Sequence, residues 1–293
     1  NNPSLASFMG RVNYSYADKY IVTVNARTDG SSKVGANNKW AFFPSASLAW
    51  VLSEEEFMKD IDIISNLKIR AGYGLAGNQD AISSYMSLPL MSPNGTTTVN
   101  GLPVVTMGVT RNYNPDLKWE STRQINVGVD ATLLNDRLAV SLDYFDKKTS
   151  DMLVEKPYIA VIGEGGYCWY NGGTMSNKGL EMSLSWRDKV KDFQYNVDVN
   201  FSYYKNEVTD LTEDIYYTYG GGNGVDKTLV GESFGSWMGF KTDGVFRTQE
   251  EVNEYKSKYD VQFGAPGVGR IKYVDANGDG DINTNDRVWL GSD

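Results

Sequence analysis

The sequence predicts an all-β fold, an antiparallel up-and-down transmembrane β-barrel. Three observations predict it. Apolar and polar side chains alternate with a period of two in at least eight segments. Short and long connections alternate along the chain. Tyr and Trp rings gather at segment ends, where a membrane strand meets water.

The first hairpin, FMGRVNYSYADKYIVTVNART, turns at Ala17 to Lys19 and alternates loosely, as does FFPSASLAWVLS after a long link from Asp29 to Trp40. The compact link from Ser53 to Asn66 predicts a short helix. Ser53 and Glu56 stand at capping-box spacing there, with Phe57 and Ile61 on one side. NLKIRAGYG sets Leu67, Ile69, Ala71 and Tyr73 against Lys68 and Arg70. After a very long connection from Ala76 to Leu117, QINVGVDATL sets Ile125, Val127, Val129 and Ala131 against Gln124, Asn126 and Asp130. A two-residue turn at Asn135 and Asp136 leads to RLAVSLDYFD, where Leu138, Val140, Leu142 and Tyr144 oppose Ala139, Ser141 and Asp143. A long loop from Thr149 to Thr174 precedes LEMSLSW, and a short turn at Lys189 to Asp192 leads to FQYNVDVNFSYY, with Asn200 on its polar side. A last long loop runs from Asn206 onward; within it Thr248 and Glu251 start a second helical pattern in TQEEVNEYKSKYD.

In an up-and-down barrel, alternating links put every tight turn at one rim and every long loop at the other. A Greek-key sandwich has no reason to sort its loops this way. Tyr16, Tyr20, Trp50 and Trp186 lie near short links, and Tyr73, Tyr144 and Tyr203 near long ones, as two aromatic belts require. The other reading of the same rings is the core of a soluble β-protein. No run approaches the roughly 20 apolar residues of a membrane helix, and mean hydropathy is −0.41, but alternating barrel strands average out in such a measure. NNPSLASFMGRVNYSY has neither the basic start nor the apolar core of a signal peptide and reads as a mature or internal segment.

Composition narrows the chemistry. A net charge of −9 without a basic stripe argues against nucleic acid. With no histidine and the single cysteine Cys168, Ser-His-Asp and Cys-His nucleophile systems and ordinary zinc sites are excluded. No pair among the 37 Asp and Glu residues stands out as a glycosidase dyad.

Two features suggest ligands. GEGGYCWYNGG and DIYYTYGGGNGV combine glycine with clustered rings, and Trp169, Tyr170, Tyr216, Tyr217 and Tyr219 are the candidate contacts for a substrate or a partner. The alternative is that these rings pack the loops into a rigid lid. DANGDGDINTND places Asp275, Asn277, Asp279 and Asp281 at positions 1, 3, 5 and 7 of an EF-hand-like loop, Gly280 at position 6 and Asp286 at position 12. Its flanks read as strands, so no sensor is expected. The set fits a structural calcium ion, with position 7 giving its backbone carbonyl; the alternative is a solvated turn without metal.

Several stretches together resemble the SusC/RagA-type TonB-dependent outer-membrane transporters. They are GRVNYSYADKYIVTVNARTDGSSKVGANNKWAFFPSASLAWVLSEEEFMKD, LKIRAGYGLAGNQDAISSY, NPDLKWESTRQINVGVDATLLNDRLAVSLDYFDKKTSDML, NGGTMSNKGLEM, and the region from GESFGSWMGFKTDGVF to KYVDANGDGDINTNDRVWLG. They follow the family's order over nearly the whole chain. The resemblance implies part of a barrel of about 22 strands in the bacterial outer membrane, whose lumen holds a plug. It further implies TonB acting through the plug of the parent protein, a SusD-like surface lipoprotein, and import of oligosaccharides or peptides without catalysis. Plug and TonB box are absent from these stretches, so the chain reads as an internal or C-terminal piece of the barrel. Residues 1–246 then supply membrane strands with long extracellular loops, and 247–293 an extracellular region carrying the Asp-rich loop. Lys68, Arg70, Gln124, Asn126, Asp130, Asp143 and Asn200 would line the lumen or touch the plug. The competing class is a secreted carbohydrate-binding β-sandwich with a structural calcium loop.

Overall fold

The computed structural model describes residues 3–157, 167–212 and 230–291. The chain forms two compact units, Asn1–Asp210 and Leu211–Asp293.

The first unit is a ten-stranded sheet. Its strands are β1 (Leu5–Tyr16), β2 (Tyr20–Ser31), β3 (Trp40–Val51), β4 (Ile64–Asn78), β5 (Leu90–Val99), β6 (Leu102–Arg111), β7 (Glu120–Leu133), β8 (Leu138–Pro157), β9 (Tyr167–Val190) and β10 (Phe193–Leu211). Neighbours run β1-β2-β3-β4-β7-β8-β9, with β10 also on β9. The main ladders are antiparallel; the sheet branches at β9, which also takes β6 of the β5–β6 hairpin through the parallel pair Arg111 and Tyr167, and among the described residues it does not close, so β1–β4 and β7–β10 make a sector of barrel wall. The chain crosses with strands; no helix among the described residues is long and apolar enough to span a bilayer.

Register confirms the two faces. Directly opposed residues in an antiparallel pair share a face, and Val12 meets Val24 while Ile69 meets Val129, which meets Leu142. On the other face Asn13 meets Thr23, which meets Ser47, and Lys68 meets Asp130, which meets Ser141. The apolar row is exposed at Val12, Val24, Leu48, Ile69, Val127, Leu142 and Leu180, as a lipid-facing surface is in the absence of lipid.

Three connections differ from the sequence reading. The stretch 76–117 contains the β5–β6 hairpin, closed by Asn100 and Gly101 at φ 52° and 81°, the left-handed pair of a type I′ turn. The supposed loop from Thr149 to Thr174 is largely ladder, because β8 continues to Pro157 and β9 begins at Tyr167. Asp151, at φ 59°, sits at the register shift in that ladder and absorbs it as a bulge. The link after β3 makes two short 3-10 turns, Leu52–Glu54 and Glu56–Met58, with no side-chain cap. Ser53 does not cap; its Oγ is buried without a hydrogen-bond partner.

Above the wall, at the long-link end, Val34, Phe43, Ile82, Met86, Leu117, Trp119 and Leu153 form a buried cluster. Gly35 admits the close approach behind it: a Cβ there would stand 2.1 Å from the Pro115 carbonyl oxygen.

The second unit contains β11 (Trp237–Phe240), β12 (Thr242–Val245), α1 (Gln249–Lys258), β13 (Asp260–Val261), β14 (Ile271–Tyr273), β15 (Asp281–Ile282) and β16 (Arg287–Gly291). They pair as β11 with β16, β12 with β14, and β13 with β15. The Thr248 side chain caps α1 by accepting from the Glu251 amide at 3.3 Å, as the sequence predicts. Phe246, Val252, Tyr255 and Ile282 form its core. The Tyr255 hydroxyl donates to the Tyr273 carbonyl at 2.7 Å, and burial pushes its pKa up to about 12.

Candidate functional site

The polar face of the wall is a finished surface. On β4, Arg70 Nε and Nη2 donate to the two Asp130 oxygens at 2.8 and 2.9 Å, and Nη2 also donates to Asp143 Oδ2 at 2.8 Å. Lys68 Nζ lies 3.0 Å from Asp130, and the Ser141 hydroxyl donates to Asp130 at 2.8 Å. The pairing spans β4, β7 and β8 because Gly128 stands between Arg70 and Asp143 in register. A Cβ on Gly128 would meet Asp143 Oδ1 at 2.3 Å and Arg70 Nη2 at 2.9 Å. Sequence reading placed Lys68, Arg70, Asp130 and Asp143 on this face but missed Gly128, whose only signal is a glycine at a polar position of an alternating strand.

Farther along the same face, Gly72 and Gly74 leave a groove of about 330 Å³ between Ser45 and Ser47 on one side and Gln124 and Asn126 on the other, with Asn25 beyond. Asn25 Nδ2 donates to Ser45 Oγ at 3.0 Å, and Gln124 Nε2 to Asn126 Oδ1 at 2.8 Å. Amides and hydroxyls line the groove together with Ala46, Leu75 and Ala76, and among the described residues none of its lining side chains is ionised.

On the apolar face, the short-link rim carries an aromatic stack. Tyr16 and Tyr20 have ring centroids 6.5 Å apart, and Tyr20 and Trp50 6.3 Å apart. Glu55 in the following link accepts from the Tyr20 hydroxyl at 2.7 Å, from Trp50 Nε1 at 3.1 Å and from Lys19 Nζ at 3.1 Å. The hydrogen bonds from Tyr20 and Trp50, then that from Lys19, hold the Glu55 carboxyl below the usual glutamate range.

The candidate aromatics separate. Trp169 is half-buried against the Phe43–Trp119 cluster, edge-on to Tyr167 with centroids 6.3 Å apart. Its backbone carbonyl accepts from Asn114 Nδ2 at 2.6 Å. Tyr170 is half-buried with Lys156 Nζ 5.9 Å from its ring centroid. Tyr216, Tyr217 and Tyr219 lie outside the described residues. Cys168 is buried.

The Asp-rich loop is folded on its own carboxylates. Asp275 accepts from the Gly278 and Gly280 amides at 2.7 and 3.0 Å, Asn277 Oδ1 from the Asp279 amide at 3.1 Å, and Asp279 Oδ1 from the Asp281 amide at 2.9 Å. Asp286, fully buried, accepts from the Ala276 and Asn283 amides at 2.9 and 2.8 Å. Gly278 and Gly280 take φ 79° and 87°, which the tight turn requires. Burial, and then the carboxylates of Asp279, Asp260, Asp275 and Asp286, raise the Asp281 pKa.

The family described as TonB dependent receptor-like, beta-barrel, has a model that matches residues 2–292. TonB-dependent receptor P26 of Formosa agariphila is 38% identical over 293 residues, covering 98% of this chain and 29% of its own. TonB-dependent receptor SusC of Bacteroides thetaiotaomicron is 30% identical over 289 residues, covering 97% and 28%. The chain thus spans under a third of the length of these curated relatives. A structure of the RagAB peptide transporter superposes on 84% of this chain and 26% of its own, with TM-score 0.70 and 26% identity. The RagAB peptide importer in the open-open state covers 98% and 29%, with TM-score 0.74 and 24% identity, a likeness of fold. A two-faced strand wall, matched end to end by that family and these relatives, means that the chain belongs to the TonB-dependent receptor-like β-barrels of the bacterial outer membrane.

Proposed function

We propose that the chain forms part of the wall of an outer-membrane importer of the SusC/RagA type, with oligosaccharides as cargo. The observation that carries the cargo reading is the neutral groove over Gly72 and Gly74. Sugar hydroxyls pair with side chains that both donate and accept, and Asn25, Ser47, Gln124 and Asn126 do both. The nearby charges of Lys68, Arg70, Asp130 and Asp143 are paired with one another, and Arg11 stands behind Asn25, donating to its Oδ1 at 2.6 Å. Peptide cargo is the second reading, favoured by the likeness to the RagAB peptide transporter.

In this reading no residue of the chain performs catalysis. TonB acts through the plug of the parent protein, and a SusD-like surface lipoprotein closes the long-loop rim. Residues 1–246 carry the wall and its loops, and 247–293 lie outside the cell. Trp169, Tyr170, Tyr216, Tyr217 and Tyr219 contact ligand or partner, Trp169 through the cluster that fixes it. A calcium ion staples the Asp-rich loop: Asp275, Asn277, Asp279 and Asp286 hold it through side-chain oxygens and Asp281 through its carbonyl. The all-oxygen donor set supports a hard cation; among the described residues no three carboxylates converge on one point, so binding would draw the Asp275, Asp279 and Asp286 side chains together.

The test is uptake by cells producing the full-length parent, compared with cells lacking it. Labelled neutral oligosaccharides should accumulate only in the former, and Gly72→Leu, which fills the groove, should reduce that uptake. Accumulation of peptides but not glycans would favour the second reading; accumulation of neither would sink both.

A further inference from the structure

Among the described links at the short-link rim, Leu52–Ile63 is the long one, and it stands at the lipid boundary. Tyr16, Tyr20 and Trp50 belong to the apolar face, since Tyr16 opposes Tyr20 and Tyr20 opposes Trp50 in the rows that continue Val12, Val24 and Leu48. The polar ends of Tyr20 and Trp50 converge on Glu55 of the link. The link therefore folds over the outer side of the wall, at the depth where amphipathic rings sit between hydrocarbon and water. It presents Phe57 at 64%, Ile63 at 56% and Ile61 at 38% exposure. Before and between them stand charged, exposed side chains: Glu54 and Glu56 ahead of Phe57, then Lys59, Asp60 and Asp62. Large apolar groups next to charges, held at an aromatic belt, make an element that lies in an interface.

We propose that this link is an interfacial anchor, inserting Phe57, Ile61 and Ile63 into the phospholipid leaflet at the short-link rim, with Glu55 clamping it to the belt. The surface of the occupant follows from charge. Four exposed carboxylates against the single Lys59 repel anionic headgroups and suit zwitterionic lipids that carry a protonated amine. The continuity of the patch with the lipid-facing rows selects lipid over a second protein. The inference rests on the barrel fold and holds whether the cargo is a glycan or a peptide.

Nitroxide labels test it in the full-length parent, reconstituted in nanodiscs rich in phosphatidylethanolamine. Phe57→Cys and Ile61→Cys report the apolar side, and Lys59→Cys and Asp62→Cys the charged side. Collision with oxygen should dominate at 57 and 61, and collision with a water-soluble nickel chelate at 59 and 62. Chelate access at all four sites would place the link in water, and exclusion of both reagents at all four would place it under protein; either result overturns the anchor. Replacing the amine lipid with phosphatidylglycerol should shift positions 57 and 61 toward chelate access, and no shift would overturn the headgroup assignment. Ile63→Cys replaces any apolar-side label that does not assemble, judged by the gel mobility of the heated and unheated barrel.

Discussion

Arg70 and Asp143 meet across Gly128, so that two side chains on strands that do not touch are joined at 2.8 Å over the strand between them. The pair ties three strands of the wall together through one guanidinium. Gly128→Leu should push Asp143 off Arg70 and strand a half-buried carboxylate, at a cost of about 1–3 kcal/mol. Urea unfolding of the detergent-solubilised parent measures it. Unchanged stability would mean that the three-strand tie is dispensable.

The two faces make opposite demands at adjacent positions. Val127 lies in the lipid-facing row and Asn126 on the polar side. Val127→Arg should impair assembly by about 2–4 kcal/mol if it lies near the bilayer midplane, while Asn126→Arg should assemble normally. Heat-modifiable mobility on gels reads both. The reverse pattern would invert the faces.

Calcium has its own signature. The exposed Asp279 side chain accepts from one backbone amide, that of Asp281, and from Asn277 Nδ2, whereas Asp286 holds two backbone amides from full burial. Asp279→Ala should therefore lower the melting temperature far more in calcium buffer than in chelator, and Asp286→Ala should lower it in both. Equal effects of Asp279→Ala in the two buffers would remove the metal.

Acid should loosen the link after β3. Glu55 is held below its ordinary value of about 4.3, so its contribution is fully present above that value and is lost as pH falls through the lower folded-state value. The Met58 amide, which donates to the Glu55 carbonyl at 3.0 Å, reports the link locally. Its hydrogen-exchange protection, after correction for intrinsic rate, should drop in that acidic window in the native protein. Tyr20→Phe should move the drop toward higher pH, and a drop at the same pH in both would remove the Tyr20 hydrogen bond from the account.

The wall was legible because its code is local. Val127 and Asn126 differ in face by the pleat alone, and a period of two states that directly. The β5–β6 hairpin went unread although Asn100-Gly101 is a strong turn signal, because the flanking strands run through Pro93, Gly95 and a threonine triplet rather than alternating apolar residues. The start of β9 read as loop because glycine and aromatic residues dominate YCWYNGG, and the end of β8 because charged and hydroxyl residues fill KKTSD, yet pairing already begun at Leu138 and Trp186 carries the ladder onward. The Glu55 clamp was hidden for another reason. Its donors come from a turn and two strands, and nothing in an acidic run such as Glu54-Glu55-Glu56 says which carboxylate meets them.

The ladder of β8 and β9 holds 20 and 24 residues, about twice the roughly 9–11 needed to cross a membrane. Growth or shrinkage of such a ladder is constrained by parity. One added residue in a paired strand turns every later side chain to the opposite face, unless a bulge such as the one at Asp151 takes it up. Length differences between relatives in this stretch should therefore come in even steps, or as single residues confined to bulges and tips. The outer reach of the wall can vary from one relative to the next while the inside stays inside.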